Sequence, residues 1–267
     1  MDKYSFLLII ILFGYLIAPY FTNHFFLNNS KSYKCVHLAC IFFVLVSIIL
    51  KIPKFSFVWI IFCGYGFYHY LYLNQCKLFK DKVWLGTFPF IFSLVSAIWF
   101  VSGINDFRLL GYDSTWSFYA AIHGCFIGWL LLSGIIFLTM KNRYNIFFIV
   151  MICSIIVFFL LIALGIYQFS YLKKIGVIGY YFLLPFVLFI IAKKLNPKRR
   201  IHQFYLVISF VSLCLTLSLA VFKEFFQPTV MFSEIHFVMI YIHGGFNAFF
   251  VIPLLLFVIK KETIHSS

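Results

Sequence analysis

The sequence predicts an all-α membrane protein, a polytopic bundle of about nine transmembrane helices, and two observations carry this prediction. First, 64% of its 267 residues are hydrophobic and only 10% are charged, with a mean hydropathy of +1.05. Soluble domains use about 25% charged residues, so lipid must be the main solvent of this chain. Second, continuously apolar runs of spanning length recur along the whole sequence. Barrel strands would alternate apolar and polar residues, so these runs indicate helices.

The apolar runs define nine predicted spans, and short segments between them hold most charges and turn formers. The first span follows Asp2 and Lys3 and has no small-x-small cleavage site after it, so we expect a retained helix. Turn formers such as Asn28, Gly111 and Pro197 mark loops. The second span is the shortest, and without it the count would be eight. The predicted spans are 4–21, 35–50, 55–73, 83–102, 116–139, 145–166, 175–192, 202–222 and 233–259.

The positive charges predict the orientation. One set of alternate loops, which includes 196–200, holds twice as many Lys and Arg residues as the other set. The positive-inside rule then places the N-terminus outside and the C-terminus in the cytoplasm. The net charge of +14 is spread through short loops, where it suits lipid headgroups. No hydrophilic module concentrates these positive charges, so we expect the lipid bilayer and not nucleic acid as a partner. We also expect residues 1–267 to form a single integral membrane domain.

The last predicted span carries the richest set of polar side chains inside the membrane, where each one is costly. His236, Ile240, His243 and Asn247 follow each other at intervals of four, three and four residues, which places them on one helix face. At 1.5 Å per residue, His243 lies about 15 Å below the outer start of the span. An imidazole at that depth must face the bundle interior or a water-filled cavity.

The fifth predicted span holds a second polar set. Trp116, Tyr119 and His123 are spaced by three and four residues and share a face, with His123 about 10 Å from the outer end. The segment 122–126, which contains a His-Gly pair, parallels 242–246 in the last span. So short a match leaves two interpretations open, an internal repeat or coincidence.

Our functional hypothesis is that the histidines of these two spans converge in a pocket that opens outward and is rimmed by carboxylates, namely Asp106, Asp113, Glu224 and Glu234. Three imidazoles with a carboxylate suit a divalent metal such as zinc or iron. His and carboxylate groups also receive cations or relay protons in transporters. Alternatively, the histidines only fix helix packing by hydrogen bonds. The predicted ligand-binding residues are His123, His236, His243, Asn247, Tyr119, Asp113 and Glu234, and the three histidines are the predicted metal ligands.

The other ionisable side chains are interpreted more simply. A local ion pair with Lys223 explains Glu224, which ends a span. Exposure in loops or at span ends explains four further histidines, which are His24, His37, His202 and His265.

The segment 239–248, Met-Ile-Tyr-Ile-His-Gly-Gly-Phe-Asn-Ala, resembles the M-x-x-x-H-G-x-x-N-A signature of the C-terminal part of YndJ-like bacterial membrane proteins. With the fifth span, the resemblance covers about a sixth of the chain. The family pattern continues with Gly-Phe, whereas Phe249 and Phe250 stand here. The resemblance implies a polytopic bacterial membrane protein, sometimes labelled a transporter, without an established substrate. It carries over His243, Gly244 and Asn247 as the matching residues.

The leading functional hypothesis is a small inner-membrane transporter, or a membrane protein that binds a small ligand or cation. One alternative is a membrane-embedded enzyme, metal-dependent in one version, that acts on a lipid or isoprenoid. Another is an accessory or assembly subunit. The sequence lacks HExxH, GxSxG, P-loop and GxGxxG motifs, so enzyme activity stays open. The sequence also leaves open the ligand, the oligomeric state and any cofactor beyond a divalent metal.

Overall fold

The computed structural model describes residues 2–77, 80–141, 146–226 and 239–264, and within these ranges it is helical and has no strand. This confirms the all-α prediction. The described ranges form nine helices in chain order, which are α1 Lys3–Phe26, α2 Lys31–Ile49, α3 Phe57–Leu73, α4 Thr87–Asn105, α5 Ser114–Lys141, α6 Ile146–Tyr167, α7 Ser170–Leu195, α8 Arg200–Phe225 and α9 Met239–Thr263.

Eight of these helices are long and apolar enough to cross a membrane, so the chain is a multi-pass membrane protein. The exception is α3, which has 17 residues and continues a 3-10 turn, Pro53–Ser56. Pro53 favours this turn because its ring fixes φ and removes the backbone N–H. The prediction that the second span is the shortest is therefore wrong, since α2 has 19 residues.

Short polar side chains begin three of the helices. The carboxylate of Asp2 accepts a hydrogen bond from the Ser5 backbone N–H at 2.6 Å, and the hydroxyl of Ser30 accepts one from Tyr33 at 3.3 Å. Asp113 caps α5 in the same way. Such caps satisfy backbone donors that have no partner in the first helical turn. The bonds from Ser5 also lower the pKa of Asp2.

The helices group into two compact units, Met1–Tyr144 with α1 to α5 and Asn145–Ser267 with α6 to α9. The core of the first unit is built around the fully buried Tyr15 of α1. The ring of Tyr15 stacks on Trp59 of α3 with 4.4 Å between centroids. Its hydroxyl lies 3.1 Å from the side-chain oxygen of Ser96 in α4, and its carbonyl lies 3.0 Å from Nε2 of His37 in α2. His37 thus lies inside a helix and contacts a core residue, so its interpretation as an exposed span-end residue is wrong.

The second unit is held by close helix packing and by an ion pair. A Cβ on Gly179 of α7 would lie 2.5 Å from the ring of Phe158 in α6, so the glycine lets the two backbones approach. Lys173 of α7 pairs with Glu224 of α8 at 2.6 Å. The side chain of Glu224 is only 11% exposed. Its ion pair therefore joins two helices. The sequence predicted a local pair with Lys223 and did not predict this contact between helices.

Candidate functional site

The fifth helix has the largest buried share of the eight candidate spans, 78% of its most apolar window. Between residues 116 and 136 its accessible residues lie on one face and form what we call the α5 stripe, which consists of Trp116, Tyr119, Ala120, His123 and Ile127. The spacing of three and four residues is that of a single helix face. Beyond Ile127 the stripe closes, because every residue of 128–136 is buried. The stripe is thus accessible from the Ser114 end of the helix and is closed towards the other end.

His123 is the exposed ionisable group of the α5 stripe, about 14 Å along the helix from Ser114 at 1.5 Å per residue. Its Nδ1 lies 2.7 Å from the carbonyl oxygen of Tyr119. A carbonyl only accepts, so Nδ1 donates, and in the neutral ring Nε2 then carries a lone pair. Within the described part of the chain, Nε2 has no hydrogen-bond partner. His123 is therefore oriented by its own helix, with one nitrogen left for water or a ligand.

Aromatic rings lead from the end of α4 to this histidine, and we call them the aromatic rim. Trp99 and Tyr112 stack with 5.4 Å between centroids, Tyr112 and Trp116 are 6.3 Å apart, and Trp116 meets Tyr119 edge-on at 5.6 Å. The ammonium group of Lys3 lies 5.5 Å from the centre of the Tyr119 ring. This cation–π contact places the Lys3 charge over the face of Tyr119.

The nearby carboxylates organise the start of α5. Asp113 accepts a hydrogen bond from the Trp116 backbone N–H at 2.8 Å. Asp106 accepts one from the Ser114 hydroxyl at 3.1 Å and lies 4.0 Å from Nε of Arg108. These contacts give both acids a structural role at the rim. The predicted ligand-binding role of Asp113 stays a prediction.

A π-helical segment, Gly124–Leu131, follows His123 directly. The hydroxyl of Ser96 in α4 donates to the carbonyl of Ala121 at 2.7 Å, and a Cβ on Gly124 would lie 3.3 Å from the Cβ of Ser96. The glycine therefore permits α4 to pack directly on α5 beside the histidine. Single π turns inside α-helices occur frequently at functional sites.

The second predicted set lies in the other unit and is hydrogen-bonded to a neighbouring helix. Nδ1 of His243 in α9 lies 2.8 Å from the carbonyl oxygen of Thr216 in α8. The hydroxyl of Thr216 lies 3.0 Å from Oδ1 of Asn247. His243 and Asn247 thus do share a face, as their spacing predicts, and that face packs on Thr216.

The predicted convergence of the three histidines stays a prediction. His236 and Glu234 lie outside the described residues, while His123 and His243 belong to different units. Among the residues that the structure describes, no three His, Cys, Asp or Glu side chains are grouped so that they could hold a metal ion. A metal site of three histidines would therefore depend on His236.

Sequence reasoning also missed a buried pair. The side chain of His202 is only 4% exposed and its Nδ1 contacts Glu262, so its interpretation as an exposed residue is wrong. The two residues are 60 positions apart, and neither belongs to a periodic pattern that would have predicted the contact.

Comparisons of the chain with known protein families, with curated proteins and with solved structures return no match.

Proposed function

We propose that this protein binds a small ligand or a cation from the outer face of the membrane at the α5 stripe, and that it acts as a transporter. The observation that carries this proposal is the accessible imidazole of His123 in the most buried of the eight candidate spans. The aromatic rim would receive the ligand, and Nε2 of His123 would bind it or exchange a proton with it.

A polar group inside the lipid bilayer is costly unless it has a partner. An uncovered imidazole in the middle of a span is tolerated when it faces a water-filled cavity or a partner group. The α5 stripe ends at Ile127, so a cavity along it would open to one side only. A site near the middle of the membrane that is open to one side is what alternating access requires of a transporter in each of its states. The positive-inside orientation makes that side the outer one.

A packing role is favoured for the second polar set. His243 and Asn247 both bond Thr216, and such interhelical hydrogen bonds stabilise membrane bundles without any ligand. This observation supports the accessory-subunit alternative for the second unit, but it does not account for His123. The YndJ-like resemblance of α9 agrees with a polytopic transporter and stays a proposal.

The first test is ligand-induced stabilisation of the detergent-purified protein. Unfolding temperatures are measured by tryptophan fluorescence with Zn²⁺, Na⁺ and tetramethylammonium added separately. A cation present at 100 times its Kd stabilises the folded state by about 2.7 kcal/mol. We expect at least one of the three to raise the unfolding temperature, and His123→Ala to abolish that rise.

The matched control is His243→Ala. It should lower the unfolding temperature without ligand, because it removes a packing contact, yet retain the rise on ligand addition. A rise that persists in His123→Ala contradicts a site at this residue, and no rise with any of the three cations contradicts cation binding. Uptake of the stabilising ion into proteoliposomes, lost in His123→Ala, would then separate transport from binding alone.

A further inference from the structure

The two units of the chain repeat one order of helices. His123 and His243 are 120 residues apart. Adding 120 to the residue numbers of α4 and of the 3-10 helix directly before it, which together span 80–105, gives 200–225, the bounds of α8. The same shift brings α2 onto α6 and α5 onto α9 to within five residues at each described end, and it brings α3 onto α7 to within seven residues at the start and two at the end. Only α1 among the described helices has no counterpart.

The polar contacts repeat with the helices. The shift of 120 residues carries Ser96 onto Thr216, each of which is one of several hydroxyl residues in its helix. Ser96 bonds α5 at Ala121, two residues before His123. The backbone carbonyl of Thr216 accepts from His243 in α9, and the Thr216 hydroxyl donates to Oδ1 of Asn247. In each unit, a hydroxyl-bearing residue thus fastens the preceding helix to the helix that carries the His-Gly pair.

The departures from α-helical geometry repeat as well. In α5 the π-helical segment Gly124–Leu131 begins directly after His123. In α9 the π-helical segment Met239–Gly244 includes His243, and a second one follows at Asn247–Val251. Well under 1% of residues in ordinary proteins adopt this geometry. Its presence beside the His-Gly pair of both units argues for a common origin rather than for coincidence.

We infer that residues 31–141 and 146–264 are two copies of one four-helix unit, and that His243 is the counterpart in the second copy of the ligand-binding residue His123. The inference rests on the proposed function for the role of His123. Internal repeats are a recurrent basis of transporter folds, which place substrate sites near the middle of the membrane.

The two copies differ at a position one helical turn after each histidine. Asn247 corresponds to Ile127, and its side chain binds Thr216 together with His243. Ile127 offers no such group, and His123 bonds its own helix instead. The second copy therefore holds its histidine in a packing contact, while the first leaves one available, which predicts a single ligand per chain.

Engineered disulfides test the register of the repeat in the full-length protein. An ideal Cβ on Gly124 lies 3.3 Å from the Cβ of Ser96, close to the 3.5–4.5 Å typical of disulfides. In a variant whose native cysteines are replaced by Ala, Ser96→Cys/Gly124→Cys should form a disulfide on mild oxidation. The repeat predicts the same for Thr216→Cys/Gly244→Cys. Linked peptides are read by mass spectrometry after digestion.

The matched controls move one cysteine of each pair by one residue, to Val95→Cys/Gly124→Cys and Leu215→Cys/Gly244→Cys, and should link much less. Failure of the Thr216/Gly244 pair to link, or linkage equal to that of its control, would overturn the repeat. The ligand assay on His123→Ala is separate, so a failed repeat leaves the proposed function standing, and a missing ligand effect leaves the repeat standing.

A second variant guards against misfolding of the cysteine pairs. Asn247→Ile installs the residue that the first copy has at the equivalent position. If the copies are equivalent, this variant should insert into the membrane and elute as a single species, with the loss of one hydrogen bond as its only defect. Aggregation of Asn247→Ile would count against the inference as directly as a failed disulfide.

Discussion

Nδ1 of His202, near the start of α8, lies 2.5 Å from Oε1 of Glu262, near the end of α9. The side chains are 4% and 16% exposed, and the imidazole meets the ring of Phe257 edge-on at 6.1 Å between centroids. The contact fastens two helix ends in a region rich in Lys and Arg. Removing one partner leaves the other polar group buried without it, which costs more than the pair contributes when intact.

We therefore predict that His202→Ala lowers the free energy of unfolding by about 1–3 kcal/mol, the cost of leaving a buried polar group unsatisfied. Glu262→Gln should cost less, since the amide oxygen still accepts from the ring. The measurement is thermal unfolding in detergent, with Lys198→Gln at an exposed position as the control. The double variant His202→Ala/Glu262→Ala should lose less than the sum of the single losses. Additive losses would show that the two side chains do not interact.

The fold class was predictable because hydropathy alone settles it in a chain with so few charges. The helix ends were less predictable, because helices continue past the hydrocarbon layer into polar residues. The structure begins α7 at Ser170 rather than at 175, and the added turn carries Lys173, which reaches Glu224. Apolar periodicity contains no signal for such a turn.

The site was predictable in part. The spacing of Trp116, Tyr119 and His123 predicted one shared face, and the structure places all three on the accessible stripe of α5. The partners from other helices were not predictable. Ser96 and Thr216 are each one of several hydroxyl residues in their helices, and which helix each one touches depends on packing between residues 25 or more positions apart.

Thr216 allows the packing role of α9 to be measured. Thr216→Val keeps the shape of the side chain but removes the donor to Asn247, so we predict a loss of about 0.6 kcal/mol, the average for interhelical hydrogen bonds in membranes, and no more than about 1.7 kcal/mol. Thr216→Ser retains the hydroxyl and should lose less. Both unfolding free energies are compared with that of the wild type. Equal losses for the two variants would assign the effect to packing volume instead of the hydrogen bond.

Two glycines provide a matched test of close packing in the first unit. A Cβ on Gly128 would lie 2.2 Å from a ring carbon of Phe92 and 2.7 Å from its Cβ, whereas one on Gly64 would meet nothing within 4 Å. Overpacking a buried contact costs about 1–3 kcal/mol. Gly128→Ala should therefore lower the unfolding temperature, and Gly64→Ala should leave it unchanged or raise it slightly. The opposite order would contradict the close approach of α4 to the π segment.

The α5 stripe predicts a pattern of chemical reactivity in the membrane. In a background without native cysteines, single cysteines are placed at stripe positions by Trp116→Cys, Ala120→Cys and Ile127→Cys. A maleimide that cannot cross the membrane is then added to intact cells. The thiolate is the reactive form of cysteine, and it forms in water but not in lipid. All three should react, with Ile127→Cys the slowest because it lies deepest. Buried positions of the same helix, Phe126→Cys and Leu130→Cys, serve as controls and should remain unlabelled.

The outcome of this labelling distinguishes a water-filled cavity from a face covered by lipid, both of which leave a side chain uncovered by protein. If the three stripe variants resist the reagent in intact cells and react only after detergent is added, the stripe faces lipid, and the cavity on which the role of His123 depends does not exist. If they react only in inverted membranes, the cavity exists but opens to the cytoplasm. That result would reverse the orientation predicted from the Lys and Arg distribution while keeping His123 as the ligand-binding residue.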